Sequence, residues 1–156
     1  MSSIIIRPAI PADAGSISRV LLDSFLAFKQ YYSEKAFEAT TVAEAEVLLR
    51  MKEGCVWVAL KDEDIIGTVA VVKKEEDLYI RGMSVLPESR GSRAGWMLLE
   101  AVEKYAVENN VIGLLLSTTP YLSAAIHLYK KFGFEQVGEM DDSFYGTLIF
   151  QMRKHL

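Results

Sequence analysis

A single cysteine, Cys55, excludes any internal disulfide and suits a reducing, cytoplasmic setting. It sits in an apolar run with Val56, Trp57 and Val58, so packing is its expected role rather than thiol chemistry. One cysteine and two histidines give no metal-ligand spacing. No apolar run approaches the ~20 residues needed to span a bilayer. The N-terminal stretch, Met1 to Arg7, lacks the basic region and cleavage site of a signal peptide and reads as a first strand. No basic cluster stands out: 17 Lys and Arg face 21 Asp and Glu, for a net charge of −4, which disfavours nucleic acid as a partner. An acidic chain of this kind is a plausible host for a cationic amine. Also missing are the Gly-Lys-Ser/Thr of a nucleoside-triphosphate loop and the Gly-x-Gly-x-x-Gly of a dinucleotide fold. What remains is 156 residues, 51% hydrophobic, enough for one domain across 1–156 with a real core.

The hydrophobic pattern alternates between the two periods. Ile4 to Arg7 reads as a strand ended by Pro8 and Pro11. Asp13 is a fair N-cap for a helix carrying Ile17, Val20, Leu21, Phe25 and Phe28 on one face. Residues 29–40 have no clear period. Thr41 can cap a helix running to about Met51 and ended near Gly54. Cys55–Leu60 and Ile65–Val72 form a hairpin signal, and Leu78–Val85 is the next strand. Ala94, Met97, Leu98, Ala101, Val102, Tyr105 and Ala106 make a one-sided helical stripe. Val111–Leu116 is a continuous apolar run, as in a strand buried on both faces. Thr119-Pro120 offers an N-cap with proline at the first helical position, for a helix ending at Gly133. Phe134–Gly138 and Thr147–Met152 read as a last strand pair, separated by a polar stretch, Met140–Gly146. This order implies a mixed sheet with helices on both faces.

Two blocks carry chemistry. In the first, a strand ending Val85-Leu86-Pro87 leads through Arg90-Gly91-Ser92-Arg93-Ala94-Gly95 into a helix. A helix N-terminus presents outward-pointing N–H groups and a positive dipole end, which suits a phosphate. About thirty residues on, Ser123 to Phe134 places Tyr129 within Ala125-Ile126-His127-Leu128-Tyr129, followed by Lys131, Gly133 and Phe134. The pair, in this order, resembles the acyl-CoA-binding core of the GNAT superfamily of N-acetyltransferases.

The resemblance implies a fold, an activity and a site. The fold is α/β (α+β): a mixed, mostly antiparallel sheet of about seven strands with helices on both faces and a splayed parallel pair. The activity is transfer of an acetyl group from acetyl-CoA to an amine by direct attack, with acetyl-CoA as co-substrate and no metal. The pyrophosphate would rest on the loop amides around Gly91, Ser92, Arg93, Ala94, Gly95 and Trp96, with Arg90 opening the motif. Backbone groups at Met83 and Val85 would pair with the pantetheine arm as an extra strand, and an amide near Met83 or Ser84 would face the developing oxyanion. Tyr129 would give a proton to the departing sulfur. Two positions depart from the family pattern. Arg93 stands where the middle glycine belongs, with a guanidinium able to reach a phosphate oxygen. Leu122 stands where an asparagine contacts pantetheine, leaving that contact to Ser123 or Thr119.

The base is open at this level. Alternation puts Tyr79, Arg81 and Met83 on one face of the strand before the loop, and none is a carboxylate. Arg81 suits either a substrate carboxylate or an internal acid. Glu34, Glu38, Asp141 and Asp142 lie in segments that flank the acceptor cleft by family analogy, and Tyr31, Tyr32 and Phe37 would shape it. His127 reads as a surface residue. A small amine, a polyamine or a peptide N-terminus or lysine fits equally, and the resemblance implies a homodimer as one assembly. A non-catalytic acyl-CoA sensor on the same fold is the second reading. A protein-interaction domain is the third.

Overall fold

A computed structural model describes residues 3–156; Met1 and Ser2 lie outside it, so the leader reading extends beyond the described residues. Seven strands form one sheet in the order β1-β2-β3-β4-β5-β7-β6. They are β1 (Ile4–Pro8), β2 (Cys55–Lys61), β3 (Asp64–Lys74), β4 (Asp77–Val85), β5 (Gly113–Thr118), β6 (Glu135–Phe144) and β7 (Thr147–His155). Every neighbouring pair is antiparallel except β4 and β5. The helices are α1 (Ala14–Phe25), α2 (Glu34–Thr40), α3 (Glu44–Glu53), α4 (Ala94–Glu108) and α5 (Ser123–Phe132).

The strands' period-two pattern feeds a core on each face. Trp57, Ala59, Val69 and Val71 point to the side covered by α4 and α5, where Leu98, Leu99, Val102 and Phe132 meet them. Val56, Val58 and Ala70 point to the opposite side, against Ile17 and Leu21 of α1 and Val47 of α3. The expected mixed, mostly antiparallel sheet with helices on both faces is therefore what the chain adopts.

Five local expectations are corrected. Asp13 does not cap α1; its carboxylate turns back to accept from the Ile10 N–H at 2.8 Å and to pair with Arg7. Residues 29–40 are not irregular: a 3-10 turn over Leu26–Tyr31 is followed by α2, whose N-cap Ser33 accepts from the Ala36 N–H. Thr41 closes α2, its hydroxyl donating to the Phe37 carbonyl, and α3 starts later at Glu44 with Ala43 as cap. Thr119-Pro120 does not open α5 either. The helix starts at Ser123 from Leu122, with no capping side chain. The polar stretch expected to separate the last two strands, Met140–Gly146, is mostly strand. A two-residue turn, Tyr145-Gly146, takes positive φ at both positions (51° and 85°), the geometry that closes tight hairpins.

Candidate active site

The splay between β4 and β5 creates the site. Their parallel pairing runs only from Asp77 opposite Gly113 to Ile80 opposite Leu116, so the rest of β4 has no partner on that side. At the base of the gap the Tyr79 hydroxyl donates across to Ser117 Oγ at 3.0 Å. Above it opens a cavity of about 830 Å³.

A bulge in β4 decides what faces this cavity. The register with β3 slips between Thr68 and Ala70, and Gly82 takes φ 64°, a conformation that favours glycine. The slip inverts the alternation. All four residues border the cavity, but the side chains of Met83 and Val85 pack against the core on the α4 side, near Gly95, away from the face of Tyr79 and Arg81. The expected grouping of Met83 with Tyr79 and Arg81 is thus corrected; Ser84, buried and opposite Thr68, takes that place. The Leu86 N–H donates to the Ile66 carbonyl, so alternation sends the N–H of Val85 and Met83 away from β3 into the unpaired gap, and that of Ser84 toward β3. Ser84 is paired opposite Thr68 on β3, which leaves Met83, at the bulge, as the candidate amide for the cavity.

At one end of the cavity is the loop before α4. The N–H groups of Gly91, Arg93, Ala94, Gly95 and Trp96 donate to no backbone or side-chain acceptor among the described residues, whereas that of Ser92 turns back to the Ser89 carbonyl. The Ser92 amide is thus a correction to the expected set. Gly95 lets α5 pack close against the loop: a Cβ there would meet Leu128 Cδ2 at 2.9 Å. Arg93 adopts the left-handed conformation (φ 73°, ψ 2°) that glycine would take without cost. Arg90 is otherwise occupied. Its Nη2 donates to the Ser24 carbonyl at 3.1 Å and its guanidinium lies over Phe28, which ties the loop to the end of α1. The uncapped start of α5, with Leu122 and Ser123, lines the same cavity, and Ser123 is exposed.

Tyr129 stands in the wall, 6% exposed and edge-on to Phe134. Burial, with Tyr32 close by, pushes its hydroxyl well above the usual tyrosine range. It therefore keeps its proton at any ordinary pH.

At the other end the lining comes from α1, α2 and α3. Tyr32 is there, its hydroxyl also raised by burial, with Ala39, Thr40 and the guanidinium of Arg50. Tyr31 and Tyr121 stack face to face at 4.4 Å, joining the turn after α1 to the loop before α5. Phe37 is buried, and of the segment Met140–Tyr145 only Phe144 reaches the cavity. None of Glu34, Glu38, Asp141 and Asp142 lines it, and all four are exposed. Among the described residues the lining contains no carboxylate; its charged members are Arg50, Arg81, Arg90, Arg93 and Lys131, with exposed His127 at the rim. A chain of net charge −4 has thus gathered cations around one cavity.

The buried side-chain polar atoms without a hydrogen-bond partner, among the described residues, are Ser24 Oγ, Arg50 Nε, Arg81 Nε, Ser84 Oγ and Thr119 Oγ1. All five residues line this cavity. Buried groups are normally paired, so their convergence on one space points to ligands that complete them. Free amides at a helix start, an unpaired strand edge and cationic walls fit a phosphate-bearing, amide-rich chain such as coenzyme A.

Sequence reasoning missed Arg50 and the bulge. Both left a signal. Arg50 lies one turn after Val47 on the inward stripe of α3, and Gly82 interrupts a strand.

The acetyltransferase (GNAT) family matches residues 19–134 of this chain. The human N-acetylaspartate synthetase is 32% identical over 150 residues, covering 85% of this chain and 50% of that protein. The IAA acetyltransferase of Azospirillum brasilense is 35% identical over 83 residues, covering 52% and 54%. The chain spans about half the length of the curated relatives it matches. Among solved structures, a PaiA N-acetyltransferase from Thermoplasma acidophilum in complex with coenzyme A superposes with a TM-score of 0.85 at 21% identity, covering 99% of each chain.

Proposed function

Since the chain belongs to the acetyltransferase (GNAT) family, we propose that it transfers an acetyl group from acetyl-CoA to a primary amine, both bound together and with no covalent enzyme intermediate. The observation that carries this is the single cavity joining free loop amides, the unpaired edge of β4 and Tyr129. Acetyl-CoA, when bound, supplies an activated thioester carbonyl for the amine to attack.

The protein's part is binding, orientation and proton control. The amides of Gly91, Arg93, Ala94, Gly95 and Trp96 hold phosphate oxygens with the help of the α4 dipole. The N–H groups of Val85 and Met83 order an amide-bearing arm along β4 as an added strand would, and the Met83 N–H serves the carbonyl oxygen as negative charge grows there. Tyr129 presents a donor that does not ionise, aimed at the developing thiolate. Any proton that Tyr129 gives to sulfur is replaced, through water, by the one the attacking amine sheds, so nitrogen loses one, sulfur gains one and the tyrosine is left neutral. With no carboxylate in the lining, the amine enters through its neutral fraction or through water. The relatives' printed name makes an amino acid a sound first acceptor. The lone Cys55 suits a reducing, cytoplasmic setting, and we treat residues 1–156 as one domain.

The test is thermal stabilisation by acetyl-CoA followed by a free-thiol assay across amines. Stabilisation with amine-dependent thiol release is expected. Stabilisation without release from any amine favours a sensor, and no stabilisation removes the coenzyme reading.

A further inference from the structure

We propose that the acceptor is an amine that carries its own carboxylate, an amino acid, and that Arg50 and Arg81 hold that carboxylate at the end of the cavity opposite the phosphate loop. The inference rests on the acetyltransferase reading and assigns its second substrate.

The two guanidiniums come from different elements, α3 and β4, yet lie near enough that burial and, next, the charge of Arg81 pull Arg50 below its ordinary range. Placing two like charges side by side in a half-buried space is costly unless an anion sits between them. The protein's own acids fill that role only in part, for Glu53, which pairs with Arg81, also acts on Arg50. Glu53 pairs with Arg81 through Nη2 at 3.1 Å, but from the rim, where its side chain is 47% exposed. Glu46, one turn before Arg50, acts on it only at a distance, and Arg50 makes no ion pair and no side-chain hydrogen bond among the described residues. The Nε of both arginines is buried and unpartnered, and both residues line the cavity. A carboxylate supplies the acceptor oxygens these donors lack, and guanidinium matches it two bonds at a time.

Position separates this anion from the phosphates of the coenzyme. The free loop amides follow Val85, whereas Arg81 lies four residues earlier, about 13 Å along an extended strand. Between them is the bulge. A Cβ on Gly82 would sit 2.8 Å from Arg50 Nη1, so that guanidinium lies directly over the backbone where the open edge of β4 begins. An arm running from the loop along Val85 and Met83 brings its reacting end to this point. In an α-amino acid the carboxyl carbon is two bonds from the nitrogen. A carboxylate on Arg50 and Arg81 therefore leaves the amine beside that end. Because the cavity lining is cationic and holds no carboxylate among the described residues, a second carboxylate on the amino acid is also favoured, so a dicarboxylic amino acid fits best.

The experiment titrates L-aspartate, L-alanine and L-alaninamide into the full chain with and without saturating CoA, by calorimetry, and repeats the series as acetyl acceptors. Both amino acids are expected to bind, L-aspartate the more tightly, with L-alaninamide at least about 30-fold weaker, the loss typical of one charged hydrogen-bonded contact. Arg50→Gln and Arg81→Gln should each raise the KM for L-aspartate by about 30-fold and erase the preference over the amide, while stabilisation by acetyl-CoA stays intact and reports a folded cavity. Equal binding of alanine and its amide, failure of both amino acids to bind, or a preference that survives in both variants would overturn the assignment. Loss of acetyl-CoA stabilisation in the unaltered protein would instead sink the acetyltransferase reading, a result that the amino-acid titration cannot produce.

Discussion

The two ends of the cavity are built by different means. The loop end is made largely of backbone: free N–H groups at the start of α4 and along β4, with the first arginine of the motif, Arg90, committed to Ser24 and Phe28. The acceptor end is made of side chains from four separate places: Tyr32, Arg50, Arg81 and, between the ends, Tyr129. A backbone site needs only a strand, a turn and a helix in order, and many sequences satisfy it. A side-chain site depends on each residue present. Substitutions should therefore act mildly at the loop end and strongly at the other.

Tyr129→Phe should have the largest effect, because it removes the donor and leaves the packing. A fall in kcat of about 100-fold with little change in acetyl-CoA affinity is expected, read by the free-thiol assay beside a binding titration. Since the hydroxyl is held above its usual range, the unaltered enzyme should show no loss of rate from its ionisation up to pH 10. An alkaline fall near pH 10, absent from the Phe variant, would contradict this.

Gly82→Ala strikes the bulge itself. Its φ of 64° and the 2.8 Å approach to Arg50 Nη1 both resist a Cβ. Stability should drop by about 1–2 kcal/mol, near 3–6 °C in Tm, and acceptor KM should rise by about 10-fold as Arg50 shifts. An unchanged acceptor KM in a destabilised protein would mean that the bulge serves the fold alone.

At the loop end, Arg93→Gly should move two quantities in opposite directions. Relief of the left-handed backbone should stabilise the protein by up to about 1 kcal/mol. Loss of a cation beside the loop should weaken CoA by only about 3-fold, because the amides remain. Unchanged or tighter CoA binding would refute a phosphate contact by Arg93, and a 100-fold loss would show that this end also depends on side chains.

The same division governs what the sequence revealed. Val85-Leu86-Pro87, Gly91, Gly95 and the Tyr129 block are local in the chain, so the sheet order, the loop and the tyrosine were legible. The arginine pair was not, since Arg50 and Arg81 meet only after α3 packs on the sheet, and the bulge reverses a face that alternation alone predicts. The helix starts that were misjudged share a cause. Asp13, Thr41 and Thr119 are good cap residues whose side chains are used elsewhere or lie in turns, while Ala43 and Leu122 begin helices without side-chain caps because tertiary packing holds them.

The smallest effect should come from a site outside both ends, and it serves as their control. Asp77 and Arg153 join the start of β4 to β7 through two hydrogen bonds of 2.8 and 2.9 Å. They pass over Gly113 of β5, where a Cβ would lie 2.3 Å from Arg153 Nη2 and 2.5 Å from Asp77 Oδ1. The guanidinium holds the Asp77 carboxyl below its ordinary range. A carboxylate whose folded pKa is lowered adds stability above its unfolded pKa of about 3.9 and loses it as pH falls through the folded value. Both side chains are partly exposed, so screening limits the gain to about 1 kcal/mol. Asp77→Asn should therefore lower Tm by about 3 °C at pH 7, and the gap should narrow as the pH is taken below about 3.9. KM for acceptor and affinity for acetyl-CoA should both stay unchanged, since the pair lies outside the cavity lining. A Tm gap that is the same at pH 3 as at pH 7 would show that packing around Gly113, not charge, is what the pair contributes.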